Sequence, residues 1–319
     1  MDLKPKEDVK SEEWKSNKEL YPTWHKVGKV RAMYLYPLLK GSPESVDTCC
    51  IYRNQLCGYL NKTSVLNEMF VVYDEVSRAI CTANEVHELN TFTVLIMDHS
   101  VIALRVHSNS IALILPKIVA NGNVKTLVTS FYNKFIVFVS VLDCGDVVAN
   151  WLRRNTNNNR LRLGFIHDLG PQKFEKAKED FEGRNLFKSD SREFMMLFER
   201  VPSVRLVTCE TFDEIVHSCS YEQLQQLNPN IIISSIGQKP FNEKKWKKIK
   251  IGNHVVVNNV YNINLEDSPT SQINLKDMPI DLQWEMLLLH CEVVCSGVVE
   301  EDDEVFALYD SGDDEEVDS

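Results

Sequence analysis

The nine cysteines of this 319-residue chain are its most reactive side chains, as nucleophiles, redox groups or ligands of a soft metal. Cys49 and Cys50 are adjacent, and Cys291 and Cys295 are separated by three residues. A structural zinc site needs four ligands, and neither pair is accompanied by the histidines or the second cysteine pair that would complete one. We therefore predict reduced, buried thiols with a structural role and no metal site.

The eight histidines are dispersed along the chain. His87, His99 and His107 lie closest together, but their spacing suits neither a zinc-binding helix nor a catalytic triad. The sequence also contains no Gly-x-Ser-x-Gly motif, phosphate-binding loop or dinucleotide-binding fingerprint. The enzyme classes that depend on these motifs therefore find no support in the sequence.

Six lysines and one glutamate lie between Lys239 and Lys250, around Phe241 and Trp246. We interpret this run as a solvated helix face, with a nucleic-acid or acidic-partner surface as the alternative. A third interpretation is association with the acidic tail, because eleven of the acidic residues lie between Glu300 and Ser319. Without that tail the remaining 35 acidic and 35 basic residues balance, so the net charge of −11 belongs to the tail.

Short apolar segments rich in β-branched and aromatic residues, separated by turn-forming residues, predict a protein made mainly of β-strands with some α-helix. The helices are expected at 146–154 and 212–219. In the first, we expect Asp143 or Asp146 to satisfy the free N–H groups at the helix start, with Gly145 allowing a tight entry. The predicted strands are 30–36, 69–73, 92–97, 101–106, 111–115, 135–142, 204–208, 231–235, 253–260 and 304–308.

Five groups of residues, in the same order along the chain, resemble MOSC-domain proteins, particularly the mitochondrial amidoxime-reducing components and the C-terminal part of molybdenum cofactor sulfurases. The Asp-Cys-Gly motif is the most specific of them. The groups are Val27-Gly-Lys-Val30 with Tyr36-Pro37 and Lys40-Gly41; Asp143-Cys144-Gly145-Asp146 with Asn150-Trp151-Leu152; Val204-Arg-Leu-Val-Thr208 with Phe212-Asp-Glu-Ile215; Asn228-Pro229-Asn230 with Ile231-Ile-Ile-Ser234; and Trp246 with Ile251-Gly252-Asn253.

The resemblance implies a molybdenum-bearing pterin cofactor, and four positions of this chain depart from the family's site. The family's Lys-Ser pair is missing after Tyr-Pro, and Lys40 corresponds to a second, structural lysine. Asn84 stands where the family has the arginine of Thr-Ala-Arg, and Asn228 where it has the arginine of Arg-Pro-Asn. Asn262 occupies the place of the metal-binding cysteine.

All four departures weaken the binding of an anion or of a soft metal, because a buried phosphate needs cationic or N–H partners and the metal needs a thiolate. We therefore expect a degenerate site with no cofactor, no metal and no catalytic residue, in a protein that acts as a binding or scaffold protein. The alternative is a molybdenum-dependent oxidoreductase that reduces N-hydroxylated compounds. The three asparagines could line a polar pocket for a neutral ligand or lie beside a collapsed cavity.

The resemblance also implies a domain plan. We expect a disordered polar arm at 1–26, an N-terminal MOSC β-barrel-like domain at 27–145, a MOSC β-barrel domain at 146–309 and the end of an acidic disordered tail at 310–319, acidic from about residue 300. The sequence has no run of apolar residues long enough to span a membrane, and its first residues do not resemble a secretory signal. We expect a cytoplasmic protein with an unidentified protein partner and without nucleic-acid binding.

Overall fold

The computed structural model of the chain describes most of the residues between Thr23 and Tyr309. Most of the predicted arm at 1–26, all of the tail at 310–319, and the predicted site residues Asn84 and Asn262 lie outside the described residues. The described ranges are 23–53, 55–60, 62–81, 85–96, 101–106, 113–116, 124–131, 135–166, 204–218, 227–259 and 287–309.

These ranges contain nineteen strands, two α-helices and two 3₁₀ turns. The helices are α1 (Asp146–Thr156) and α2 (Cys209–Ser218), and the 3₁₀ turns are His87–Thr91 and Asn242–Lys245. The strands are β1 (His25–Leu35), β2 (Glu44–Val46), β3 (Thr48–Tyr52), β4 (Gln55–Leu60), β5 (Thr63–Leu66), β6 (Phe70–Asp74), β7 (Phe92–Ile96), β8 (Val101–Val106), β9 (Leu113–Pro116), β10 (Val124–Phe131), β11 (Phe135–Asp143), β12 (Leu161–Ile166), β13 (Val204–Thr208), β14 (Ile231–Ser235), β15 (Trp246–Ile251), β16 (Val255–Asn259), β17 (Leu289–Cys295), β18 (Gly297–Glu300) and β19 (Glu304–Tyr309).

Seven strands form a closed β-barrel. They follow the order β14, β13, β17, β16, β15, β19 and β1, and the ring closes because β1 also pairs with β14. All pairs in the barrel are antiparallel except that of β13 with β14. A Cβ atom at Gly28 would lie 2.2 Å from the carbonyl oxygen of Ser234, so the close approach of β1 to β14 requires glycine there.

Three smaller sheets accompany the barrel, with the strand orders β10-β11-β12-β6, β18-β3-β4-β5 and β7-β8-β9. The first joins β6 to β12, and the second joins β3 to β18. Strands of the two predicted domains therefore pair within the same sheet. The barrel shows the same mixing, because β1 pairs with β14 and with β19. The division of the chain into domains at 27–145 and 146–309 stays a prediction.

The core is continuous from the barrel to the helix α1. It contains Trp246 and Ile249 of the barrel together with Phe92 and the α1 residues Trp151 and Leu152. The rings of Phe92 and Trp151 lie 5.7 Å apart. The helix α2 covers a second apolar cluster, which includes Val207 of β13 and Ile232 of β14. Because β13 and β14 pack against apolar side chains on both faces, their positions are fixed.

The prediction of a mainly β protein with some α-helix is confirmed. The predicted strands 101–106, 204–208 and 231–235 match the observed bounds, and the predicted helix at 146–154 corresponds to α1. None of the helices in the described part of the chain combines the length and apolar character needed to span a membrane.

Candidate functional site

The candidate site lies where the end of β1 meets the segment that leads into β14. Tyr36 follows β1 directly, and its buried hydroxyl donates a hydrogen bond to the carbonyl oxygen of Pro229 at 3.1 Å. Asn228 and Asn230, on either side of that proline, are both buried. The chain therefore brings the Tyr-Pro and Asn-Pro-Asn segments, 193 residues apart, into direct contact.

Asn228 has the most unusual conformation in this site. Its φ of 45° lies in the left-handed region, which asparagine tolerates better than most side chains. Its Nδ2 is buried and finds no hydrogen-bond acceptor among the described residues. A buried amide donor without an acceptor lowers the free energy of unfolding, so the surroundings of Asn228 destabilise the fold at this point.

Asn230 links three segments through its side chain. Its Oδ1 accepts a hydrogen bond from the backbone N–H of Arg205 at 3.1 Å, and its Nδ2 donates to the carbonyl oxygen of Tyr34 at 3.2 Å. Nδ2 also lies 3.3 Å from Oδ1 of Asn67, which accepts the backbone N–H of Tyr36 at 2.8 Å. These bonds fix the geometry of the site, since buried polar networks with satisfied members are rigid.

Arg205 is the cation of this site, and it is paired with a carboxylate. Its Nη2 donates to Oε1 of Glu68 at 2.6 Å, and its guanidinium lies 5.7 Å from the centre of the Tyr36 ring. The Arg205 side chain is 13% exposed, so solvent screens this pair only partly. Burial raises the pKa of Tyr36 although the charge of Arg205 opposes the rise, so this hydroxyl stays protonated and acts as a donor.

The four residues predicted for the site meet different outcomes. Asn228 lies in the cluster around Tyr36. Lys40 is half-buried in a turn with a left-handed φ of 62°, and this turn is attached to Phe92 through the N–H of Ser42. Asn84 and Asn262 lie outside the described residues, so their prediction as degenerate cofactor positions stays a prediction.

Sequence reasoning missed Arg205 and Glu68. Arg205 is the one charged residue in the strand Val204–Thr208, and an arginine among apolar strand residues was a usable signal that a polar partner must exist. Glu68 carries no such signal, because it lies 137 residues before Arg205 and follows no strand or helix pattern.

A second polar cluster lies at the start of α1, within the Asp-Cys-Gly motif. The Oδ1 atom of Asp143 accepts the N–H of Gly145 at 2.7 Å, and Gly145 has a left-handed φ of 87°. Asp143 also accepts two hydrogen bonds from Arg162 and one from Tyr73. Burial opposes ionisation of Asp143, but these bonds outweigh it and lower the pKa of the carboxyl group. The predicted tight entry at Gly145 is confirmed, but the predicted capping of the first helix N–H groups by Asp143 or Asp146 is not observed, because the N–H that Asp143 binds belongs to Gly145, one residue before α1.

Cys144 in the same motif is not prepared for nucleophilic chemistry. Burial and the neighbouring charge of Asp143 raise the pKa of its thiol to about 12. Burial likewise raises the pKa of Cys49 and Cys81 to about 12. The thiolate is the reactive and metal-binding form, so these thiols are inert at neutral pH. The prediction of buried thiols is confirmed for Cys49, Cys57, Cys81 and Cys291, whereas Cys50, Cys144 and Cys209 are half-buried and Cys295 is exposed.

A third polar cluster lies between α2 and the start of β15. The hydroxyl of Thr208 accepts the N–H of Thr211, whose own hydroxyl donates to Oε2 of the buried Glu243 at 2.9 Å. The ammonium of Lys244 donates to the carbonyl oxygen of Leu288 at 2.8 Å. Burial lowers the pKa of Lys244 to about 8, although Glu243 and Cys291 oppose the shift.

This third cluster corrects the interpretation of the lysine run as a solvated helix face. The segment is a 3₁₀ turn followed by β15, and Lys244 is half-buried and bound to a backbone carbonyl rather than solvated on a helix surface. The strand forms because Trp246, Ile249 and Ile251 are buried in the core, which overrides the polar character of the run.

The arginines of the described polar clusters are paired, and these clusters lack a metal-binding group of side chains. Arg205 and Arg162 are each paired with a carboxylate, and in the described part of the chain no group of three or more histidines, cysteines, aspartates or glutamates could hold a metal ion. Such an arrangement fixes segments of the chain to one another. It offers neither an unpaired cation for an anionic ligand nor a thiolate for a metal.

The comparisons with known proteins are sparse. No family model matches the chain, and no curated protein does. Among solved structures, the YuaD protein from Bacillus subtilis is similar over 90% of this chain and 99% of its own, with 9% sequence identity and a TM-score of 0.32. A likeness of that size carries no argument about function.

Proposed function

We propose that this protein has a MOSC-like fold with a degenerate cofactor site and acts by binding another protein rather than by catalysis. The proposal starts from the resemblance of its motifs to MOSC-domain proteins. By that resemblance Asn84 and Asn228 stand in place of arginines of the family, and Asn262 stands in place of the cysteine that binds the metal. The remaining support comes from the charges around Tyr36 and Asn228.

The ion pair between Arg205 and Glu68 is the observation that carries the proposal. A phosphate near Asn228 would have to compete with a carboxylate that already lies 2.6 Å from Nη2 of Arg205. Glu68 would also repel the phosphate, since two like charges in a partly buried site disfavour each other. In this position a carboxylate of the chain itself takes the place that a bound anion would need.

The described thiols support the same conclusion. A soft metal is bound by thiolates, and burial raises the pKa of Cys144 and of Cys291. Neither thiol is therefore a good substitute for the cysteine that the family has at the position of Asn262.

The expected partner is a protein in the cytoplasm. Nucleic acid is disfavoured because the lysine run, the most basic segment of the sequence, is interrupted by Trp246 and Ile249, which are buried in the core. One of its members, the half-buried Lys244, donates to the carbonyl oxygen of Leu288. The chain as a whole carries a net charge of −11, and nucleic-acid binding depends on a concentrated positive surface.

Metal analysis of the purified full chain tests the proposal. The chain is produced in a host that synthesises the molybdenum cofactor, beside a known molybdenum enzyme as the positive control. We expect neither molybdenum nor pterin in this protein when the control is loaded. Molybdenum near one atom per chain would instead support the alternative, a reductase of N-hydroxylated compounds, and overturn the degenerate site.

A further inference from the structure

The hairpin formed by β3 and β4 carries two cysteines at directly opposed positions. In the antiparallel register Cys50 pairs with Cys57, with Ile51 opposite Leu56 on one side and Cys49 opposite Gly58 on the other. Side chains of directly opposed residues project from the same face of a sheet. The thiols of Cys50 and Cys57 are therefore neighbours on one face of the sheet.

That face is the outer face of its sheet. The tyrosines Tyr52 and Tyr59 share it and are 50% and 59% exposed, whereas Ile51 and Leu56 on the opposite face are buried. Cys50 is half-exposed. A reagent in solution can thus reach one thiol of the pair, and the second lies beside it.

The backbone register places the two cysteines at a separation compatible with a disulfide. Directly opposed residues of an antiparallel pair have Cα atoms about 4.5 or about 5.5 Å apart, depending on the type of pair. Both separations fall within the range of about 4.4–6.8 Å found for disulfides. Cys49 cannot replace Cys50 in this role, because it is fully buried on the other face and lies opposite Gly58.

We propose that Cys50 and Cys57 form a redox-sensitive modification site, which hydrogen peroxide converts into an intramolecular disulfide. The thiolate of Cys50 attacks one peroxide oxygen, the O–O bond breaks, and Cys50 becomes a sulfenic acid while hydroxide leaves. The sulfur of Cys57 then attacks that of Cys50, the S–O bond breaks and water leaves. Overall two thiols lose two electrons and two protons, and one peroxide is reduced to two waters.

The two cysteines differ in their suitability for the two steps. Burial and the neighbouring Cys50 raise the pKa of Cys57, so its thiol is the poorer first nucleophile. Cys57 is suited to the second step, in which its neighbour is already oxidised and lies directly opposite it in the hairpin. Cys50 is the more exposed of the two and therefore meets the peroxide first.

The site goes beyond the proposed binding function and does not depend on it. Its product would join two strands on a face that also presents Tyr52 and Tyr59. A thiol-disulfide exchange with a small dithiol restores the reduced pair, so the modification is reversible.

Peptide mapping of the full chain tests this proposal. Arg53 lies between the two cysteines in the sequence, so trypsin separates Cys50 from Cys57 unless a disulfide connects their peptides. After treatment with peroxide and alkylation of free thiols, we expect the two peptides to appear as one species that dithiothreitol separates. We expect this linkage to be lost in Cys50→Ser and in Cys57→Ser and retained in Cys295→Ser, which removes an exposed cysteine outside the pair.

Two results would overturn the proposal. One is the absence of the linked species in the unaltered chain under conditions that oxidise the exposed Cys295, and the other is its persistence in Cys50→Ser. A second measurement needs no variant: phenylarsine oxide bridges two adjacent thiols, so it should protect Cys50 and Cys57 together from alkylation. Protection of neither cysteine in the reduced chain would also contradict the pairing.

Discussion

Arg162 binds both carboxylate oxygens of Asp143, from Nε to Oδ2 at 2.6 Å and from Nη2 to Oδ1 at 2.7 Å. The same carboxylate accepts the N–H of Gly145 and the hydroxyl of Tyr73. One side chain that is 7% exposed therefore connects β6, β11 and β12 to the start of α1. Bidentate arginine–carboxylate pairs are among the stronger polar contacts, and this one determines the direction in which α1 leaves the sheet.

We predict that Asp143→Ala destabilises the protein far more than Asp146→Ala. Loss of Asp143 removes the acceptor of the Tyr73 hydroxyl, of the Gly145 N–H and of Nε of Arg162, at a cost of about 1–3 kcal/mol for each buried group left unsatisfied. Asp146 also binds Arg162, but it is 84% exposed, and exposed pairs contribute at most about 1 kcal/mol. Urea unfolding of both variants measures the difference, and equal losses would contradict the assignment of Asp143 as the connecting residue.

The carboxylate of Asp143 should also make the free energy of unfolding depend on pH in acid. Its pKa is lowered in the folded state, so its contribution is present above the ordinary aspartate value of about 3.9 and is lost as the pH falls through the folded value. We expect the free energy of unfolding of Asp143→Asn to fall less steeply below about pH 4 than that of the unaltered protein. Asp213→Asn removes an exposed carboxylate of α2 and should retain the original slope. Parallel curves for all three proteins would contradict the prediction.

We predict that Glu68→Gln creates a weak anion site at Arg205. Removal of the carboxylate leaves the guanidinium beside Tyr36 with a neutral neighbour, so inorganic phosphate can take the place of the lost charge. At ten times its dissociation constant, phosphate would stabilise the variant by about 1.4 kcal/mol and the unaltered protein by much less. Thermal unfolding in phosphate and in chloride of equal ionic strength measures this.

The matched control for this prediction is the double variant Glu68→Gln with Arg205→Gln. It lacks both charges and should respond equally to the two salts. If Glu68→Gln also responded equally, Arg205 would not be the group that Glu68 neutralises.

We predict that the stability of the protein rises between about pH 8 and about pH 10.4 through Lys244. Burial lowers the pKa of Lys244 to about 8, so above that value the folded state carries a neutral amine. The unfolded chain still binds the proton until its ordinary value, and stability rises wherever the unfolded state binds more protons. Lys244→Met should remove this rise, whereas Lys245→Met, which alters the exposed neighbour, should retain it. Urea midpoints at about pH 7.5 and about pH 9.5 measure both.

The strands that the sequence predicted with correct bounds are those with the strongest local pattern. Residues 204–208 and 231–235 carry apolar side chains that are buried on both faces, and this produces short β-branched runs. The strand Trp246–Ile251 was missed because its register shifts between Trp246 and Lys248. Such a bulge inserts one residue and breaks the alternation of buried and exposed positions on which a prediction depends.

The candidate site was predictable only where its residues are neighbours in sequence. The contact of Asp143 with Gly145 is local, and the motif indicated a bond from an aspartate near this position, although to the N–H groups of the helix. The contacts of Tyr36 with Pro229 and of Arg205 with Glu68 join positions that are far apart, and they exist only after the barrel has formed. The left-handed backbone of Asn228 has the same origin, because no turn-forming glycine in the sequence indicated it.

The closure of the barrel by β1 affects how the chain folds during its synthesis. His25 lies opposite Ala307, so the pairing of β1, the first of the described strands, is complete only after β19, the last of them, has been synthesised. At about 5–20 residues per second this interval is on the order of tens of seconds. During that time β1 exposes unpaired N–H and C=O groups along its edge. Nascent chains that stop before Glu304 keep this edge open, and we expect them to need chaperones and to aggregate more readily than the finished protein.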